Sequence, residues 1–363
     1  MKVLHLSSEP TWRGGEQQII YLVEETRKLG VEAIVGCRVG SAVEKYCKVN
    51  NLPFVSLPFK SAYDISTAIK VMRYCKQECI ELIQTHTSKS HTIAVIAGLL
   101  GLSTPQILTR RVDFPIKDNW FSRFKYNYAK IIRIICISTT IREMIEVDVQ
   151  VKSKLRTIHS GVDVNKFQQF LKSDWLRKNH EIDSETTIIG NTSAISEQKD
   201  YFTFVKVAAN LVRSEKNVHF FIIGDGPYRG KIEDFVNEMG LAEHITFTGF
   251  VKNISEVLPS LDIFLFTSQT EGLGTSVLDA MAAQVPIVAT AAGGVSEMIE
   301  HETNGLLYPV GDVAAISDGV VRFLENPMLA IAMTKQAIQT VENFSKEKTA
   351  RLSYDLYKEV LKS

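Results

Sequence analysis

The chain has 363 residues, 45% of them hydrophobic, with 41 basic and 41 acidic side chains and five cysteines. That length holds two domains of ordinary size. No apolar run reaches the ~18 residues of a transmembrane helix, and Cys37, Cys47, Cys75, Cys79 and Cys136 form no CxxC pair, which excludes a metal cage or disulfide frame and reads as reduced thiols.

The start, Met1 to Leu6, runs directly into a strand without a signal-peptide pattern, so a cytoplasmic protein is expected. Charge is uneven along the chain. Residues 1–165 carry 23 Lys and Arg against 15 Asp and Glu, and the remainder carries 18 against 26. A basic first half beside an acidic second half points to an anionic partner for the first.

Residues 3–7, 32–36, 54–57, 82–85, 105–109, 134–137 and 155–158 read as strands, with helical patterns between most of them. This predicts a parallel, doubly wound α/β sheet. After the first strand, Gly14, Gly15 and Glu16 open a helix. A glycine pair there lets a phosphate or sugar approach the backbone, although the spacing is not that of a dinucleotide fingerprint. His86 stands at the end of the fourth strand, with His91 on the following helix.

Residues 110–133 contain seven basic and two acidic side chains. Arg110, Arg111 and Arg123 are interleaved with Trp120, Phe121, Phe124, Tyr126 and Tyr128. Trp120, Phe124 and Ile131 fit one helical face. The mixture suits an acceptor or an anionic membrane surface, and equally an aromatic core stripe with a solvated basic side. No nucleic-acid-binding motif accompanies it.

The stretch from Ile158 through Ser160, Gly161, Val162 and Asp163 ends the first half. A second run of strands follows at 186–190, 219–223, within the strand-and-loop stretch 245–251, and at 261–267 and 285–289. Lys199 lies after the first of these, the turn Gly224-Asp225-Gly226-Pro227 after the second, and Phe250 and Val251 at the end of the third. After the fourth comes the loop Ser268 to Gly274, with Thr275 expected to cap a helix to about Ala283. Glu271 lies on the loop and Asp279 in the second helical turn. Two carboxylates beside backbone donors at a strand's carboxyl end suit a ligand with phosphates and many hydroxyls, that is, a nucleotide sugar. Ala291 to Glu297 reads as a second glycine turn into a helix. Residues 346–361 read as a closing amphipathic helix.

Glu271, seven residues, then an acid resembles the signature of the retaining glycosyltransferases of family four. Asp279 stands where that family usually has Glu, Gln284 where it usually has Gly, and Ser160 replaces Asn in its Asn-Gly-Val-Asp junction. The resemblance implies the GT-B architecture: two Rossmann-like doubly wound α/β domains with an interlobe cleft. The expected division is 1–165 for the acceptor-side domain, 166–345 for the nucleotide-sugar domain, and 346–363 for a helix crossing back to the first. It implies that Glu271 contacts the transferred sugar, that Lys199 contacts the diphosphate and that His86 contacts the donor sugar; these three are the expected catalytic residues. Donor binding is assigned to Gly14, Gly15, Glu16, Gly224, Phe250, Val251, Gly272, Leu273, Gly274, Thr275 and Asp279. The family's diphosphate-binding Arg falls on Ala194.

The activity implied is retaining transfer of a hexose or N-acetylhexosamine-type sugar from a UDP or GDP donor. The acceptor would be a glycan or lipid-linked hydroxyl in cell-surface polysaccharide, lipopolysaccharide or glycolipid synthesis. Neither a cofactor nor a metal is expected, and the partners are the donor, the acceptor and an anionic membrane surface, with no nucleic acid. A nucleotide-sugar 2-epimerase of the same fold and a catalytically weak nucleotide-sugar-binding protein are the alternatives.

Overall fold

The structure is a computed structural model, and it describes residues 1–171 and 173–362. The chain divides into two compact units, Met1–Val162 with Lys346–Ser363, and Asp163–Ser345.

In the first unit the strands are β1 (Lys2–Ser7), β2 (Glu32–Arg38), β3 (Phe54–Leu57), β4 (Leu82–Thr85), β5 (Gln106–Arg110), β6 (Ile131–Cys136) and β7 (Leu155–Thr157). They alternate with α1 (Gly14–Lys28), α2 (Ala42–Val49), α3 (Ile65–Gln77), α4 (Ser88–Leu99), α5 (Trp120–Asn127) and α6 (Thr139–Glu146). All strand pairs are parallel, in the order β3-β2-β1-β4-β5-β6-β7. Helices cover both faces of such a sheet, so its strands are apolar on both sides. In β1, Val3, Leu4 and Leu6 are fully buried.

The second unit carries α7 (Trp175–His180), β8 (Thr187–Asn191), α8 (Tyr201–Arg213), β9 (Val218–Ile223), α9 (Arg229–Glu238), β10 (Ile245–Gly249), α10 (Ile254–Val257), β11 (Ile263–Phe266), α11 (Thr275–Ala282), β12 (Ile287–Thr290), β13 (Leu306–Tyr308), α12 (Val313–Glu325) and α13 (Pro327–Val341). Its parallel sheet runs β10-β9-β8-β11-β12-β13. Phe204, Phe220, Ile222, Leu265 and Val288 anchor its core. The last helix, α14 (Lys346–Lys362), belongs to the first unit, where Leu356, Tyr357 and Val360 join the core formed by Ile19, Ile20 and Val23 of α1.

Three local expectations change. Ile131 does not share a helix with Trp120 and Phe124: α5 ends at Asn127, Tyr128 leaves the helix at ψ 134°, and Ile131 starts β6. The β-branched run Ile131-Ile132-Arg133-Ile134-Ile135 fits the pleated surface beside β5 better than a helix. Thr275 is the first helical residue of α11 and not its cap; the cap position is Gly274, in the left-handed region at φ 87°, which glycine adopts without strain. Gly293–Glu297 is a single 3-10 turn, not the start of a long helix.

Candidate active site

Each sheet has one place where the chain's winding reverses, between β1 and β4 in the first unit and between β8 and β11 in the second. Ligands of open α/β sheets bind outside the carboxyl ends of the strands at such a reversal. The expected site residues of the second unit gather at its reversal. Lys199 follows β8 and Glu271 follows β11, and the Lys199 ammonium donates to Glu271 Oε1. Ser268 Oγ donates to the same oxygen at 2.8 Å. Only about a fifth of the Lys199 side chain and an eighth of that of Glu271 remain exposed, so water screens this pair less than a surface pair. The Lys199 ammonium also lies 5.3 Å from the centre of the Phe266 ring.

The loops that carry the pair are tied to each other. Gln269 N donates to Gln198 O at 2.8 Å, and Thr267 Oγ1 donates to Asp200 O at 3.1 Å. Thr290, at the end of β12, donates from Oγ1 to Ser268 O at 2.6 Å. The glycine turn after β12 supports the same loop: Gly294 N donates to Glu271 O at 3.1 Å. A Cβ on Gly293 would stand 2.2 Å from that carbonyl oxygen, and Gly293 sits at φ +54°. Glycine there is required by the close passage of the Glu271 backbone.

Asp279 does not share a partner with Glu271. Lys166 Nζ lies 3.8 Å from its Oδ1. A quarter of the Asp279 side chain stays open, yet the surrounding protein pushes its carboxyl pKa up, through burial first; Lys166 works against this and Asp163 with it. Lys166 sits in the 3-10 turn Val164–Phe170 and was not among the expected site residues. No local pattern marks it, because its relation to Asp279 is made only by folding. Ala194 is exposed and brings no charge. The turn at Gly224 packs against its neighbours, with Ile195 N donating to Asp225 O at 3.0 Å. Phe250, just past β10, is 80% exposed.

At the first unit's reversal, α1 starts at Gly14, and Glu16 closes its first turn by accepting from Arg13 N at 3.2 Å. Glu16 is buried, and burial raises its pKa. A Cβ on Gly15 would meet nothing closer than Arg111 Cδ at 3.9 Å, so packing does not demand glycine there. His86 follows β4 and is buried. Its Nε2 shares a hydrogen bond with Nδ1 of His5 on β1 at 3.1 Å, and the two rings stack with centroids 5.4 Å apart. His86 Nδ1 and His5 Nε2 have no partner. Burial lowers both pKa values, His5 to about 3 and His86 well below the ordinary range, the latter helped by His5 and Arg111. Both rings are therefore neutral at physiological pH. Arg111 donates from Nη1 to Ser160 Oγ at 3.0 Å.

Two family models cover most of the chain. Residues 12–166 match the model described as glycosyltransferase family 4, and residues 173–340 match glycosyl transferases group 1. The chain belongs to glycosyltransferase family four. N-acetyl-alpha-D-glucosaminyl L-malate synthase of Bacillus anthracis is 25% identical over 311 residues, covering 83% of this chain and 80% of that protein. A UDP-Gal:alpha-D-GlcNAc-diphosphoundecaprenol alpha-1,3-galactosyltransferase of Escherichia coli is 22% identical over 81% of this chain and 79% of that protein. Among solved structures, HepE of Anabaena in complex with UDP and glucose superposes with a TM-score of 0.85 at 19% identity, over 99% of this chain and 100% of that one. The likeness establishes the GT-B fold, with its two Rossmann-like α/β units.

In this glycosyltransferase the segment 110–133 splits between two environments. Trp120 is 77% exposed and Phe124 is also open, whereas Phe121, Tyr126 and Tyr128 are half-buried, so the aromatic residues do not form one continuous core stripe. Arg123 pairs with Asp118 at 3.0 Å at the surface. Arg110 and Lys125 are instead buried. Among the described residues, no three His, Cys, Asp or Glu side chains gather to hold a metal ion, and no helix is long and apolar enough to cross a membrane.

Proposed function

We propose that this glycosyltransferase moves a hexose or N-acetylhexosamine-type sugar from UDP to a hydroxyl of a glycan or lipid-linked acceptor, with retention at the anomeric carbon and without a bound metal. The observation that carries the reading is the Lys199–Glu271 pair, held by the three loops that follow β8, β11 and β12 at the β8/β11 reversal. HepE, of like fold, binds UDP and glucose. The relatives' names give acceptors of three kinds: malate, a diphosphoundecaprenol-linked sugar, and the aminocyclitol 2-deoxystreptamine.

Breaking the sugar–phosphate bond leaves a nucleoside diphosphate and an oxocarbenium-like sugar. Lys199 and the free amides at the start of α11 supply positive charge for the diphosphate. Glu271, released from Lys199 when phosphate competes for the ammonium, orients the sugar through its hydroxyls. The leaving phosphate oxygen takes the acceptor's proton on the same face, so the route needs no protein base. His86 works as a neutral hydrogen-bonding group and carries no charge in this scheme. Asp279 suits the ribose hydroxyls, and Phe250 and Val251 suit the base. Gly15, unexplained by packing, leaves the α1 amides open to a ligand. The exposed aromatic residues and basic charge of 110–133 suit peripheral contact with anionic lipid.

Glu271→Gln keeps size and removes the charge. Its kcat should fall about 10²-fold, the scale of losing one well-placed polar contact in the transition state. Calorimetric affinity for bare UDP should hardly move. Asp279→Asn should weaken UDP and the UDP-sugar alike. The reverse pattern, with Glu271→Gln losing bare UDP and Asp279→Asn keeping it, would overturn the assignment.

A further inference from the structure

The α4–α5 side of the first unit buries positive charge that no acid offsets. Arg110 is 5% exposed and Lys125 is 8% exposed. Arg110 donates from Nη1 to the Tyr126 hydroxyl and from Nη2 to the Phe114 carbonyl, and its buried Nε has no partner. Lys125 Nζ donates to Thr92 Oγ1 at 3.0 Å. His91 lies with them: its Nε2 is 3.2 Å from Lys125 O, its ring meets the Tyr126 ring edge-on, and burial beside the two cations keeps it neutral. Among the described residues no carboxylate comes within ion-pair distance of Arg110 or Lys125. Asp118 and Asp148 pair with Arg123.

Such an arrangement costs stability. A buried cation is tolerated when paired, and these two have only neutral acceptors and the faces of Phe114, Phe121 and Tyr126. The Lys125 pKa is lowered, chiefly by burial and then by Arg110 and Lys117, which shows the ammonium held against its preference. Neutral side chains of the same length would fill the space at less cost. Charge kept in this way, at the carboxyl end of β5 and beside the strand that carries His86, indicates a use.

We propose that Arg110 and Lys125 receive an oxyanion of the acceptor, a phosphate ester or carboxylate next to the hydroxyl that is glycosylated. The inference rests on the transferase reading above and names the acceptor's class. It excludes an aminocyclitol, whose ammonium groups these cations repel. The oxyanion takes the free Arg110 Nε and competes with the Phe114 carbonyl, which lies in the loop between β5 and α5. Two charged donors with different geometry, one planar and one a point charge, suit an anion of more than one charge.

The probe is inorganic pyrophosphate, titrated calorimetrically into the full chain with and without saturating UDP. Wild-type protein should bind it when UDP is saturating, and Arg110→Gln and Lys125→Met should weaken that binding about 10- to 100-fold, the worth of a charge-assisted hydrogen bond. UDP affinity should be unchanged in both. Lys125→Met should keep or raise the thermal midpoint, because it removes an unpaired buried charge; a purely structural lysine would give a fall. Pyrophosphate binding that disappears once UDP is present, or that both variants retain, overturns the inference. Failure of UDP itself to bind strikes the donor reading instead, and the pyrophosphate titration still judges the cation pair. In transfer assays, competition against the acceptor by pyrophosphate assigns a phosphate source and competition by malate alone a carboxylate source. Transfer to 2-deoxystreptamine with no inhibition by either anion overturns the proposal.

Discussion

At the scale of single residues, the histidines of the first unit set a pH limit. His5 and His91 are buried, with pKa values lowered from about 6.5 to about 3, in both cases mainly by burial. The unfolded chain therefore binds protons that the folded chain refuses between these values. Stability is fully present above pH 6.5 and declines as the pH falls through that window, by ~2 kcal/mol for each ring at pH 5. Thermal midpoints measured from pH 7.5 to 4.5 should drop steadily, and His91→Gln should flatten the slope. A midpoint independent of pH over that range would show that the rings are not held neutral. The same burial means that His86 contributes no titration to the activity profile near neutrality. Lys199 and Glu271 were readable as separate candidates from their loops. Their mutual ion pair was not, since the two stand on different loops and meet only when β8 and β11 lie side by side.

At the scale of elements, the turn after β12 positions Glu271 without contacting substrate. Gly293→Ala would place a methyl group 2.2 Å from Glu271 O, in a left-handed backbone conformation. The loop must shift, because the obstructing atom is backbone. The expected result is a fall in kcat of at least ~10-fold, since displacements of about 1 Å can cost 10²-fold, with circular dichroism that of the wild type. An enzyme of unchanged kcat would show that this turn does not hold Glu271 in place. The boundary between α5 and β6 shows what local pattern leaves undecided. Trp120, Phe124 and Ile131 have helical spacing, but the isoleucine-rich run after Lys130 is taken by the sheet, where it pairs with β5. Short apolar runs fit either period, and pairing decides between them.

At the scale of the whole molecule, the last helix completes the first unit. α14 buries Leu356, Tyr357 and Val360 against α1, and the Tyr357 hydroxyl donates to Gln84 on β4, which is otherwise an amide inside a sheet. Lys346 adds an ion pair to Glu25 at 3.5 Å. Deleting residues 346–363 removes Leu356, Tyr357 and Val360 from the core, side chains worth on the order of 5–9 kcal/mol together, comparable to the stability of a domain. The truncated protein should show a lost or strongly lowered thermal transition for the first unit and a retained one for Asp163–Ser345. A calorimetric scan unchanged by the truncation would refute this dependence.

Local pattern along the chain was enough for the alternation of strands and helices, the family, and the loops where the chemistry lies. Strands buried on both faces, such as 82–85 and 263–266, are apolar runs bounded by loop residues, and strand ends followed by glycine or polar loops are legible one at a time. β13 escaped notice because Leu306–Tyr308 is too short to show a period. Which loops meet is a product of folding: Lys199 pairs with Glu271, Lys166 with Asp279, and His5 with His86, and Gly293 passes under Glu271. Folding also decided that Arg110 and Lys125, two of seven basic residues in one segment, lose water while Arg123 keeps it. Charge and spacing are properties of the chain. Burial and pairing depend on which strands become neighbours, and that is fixed by the packing of the entire sheet.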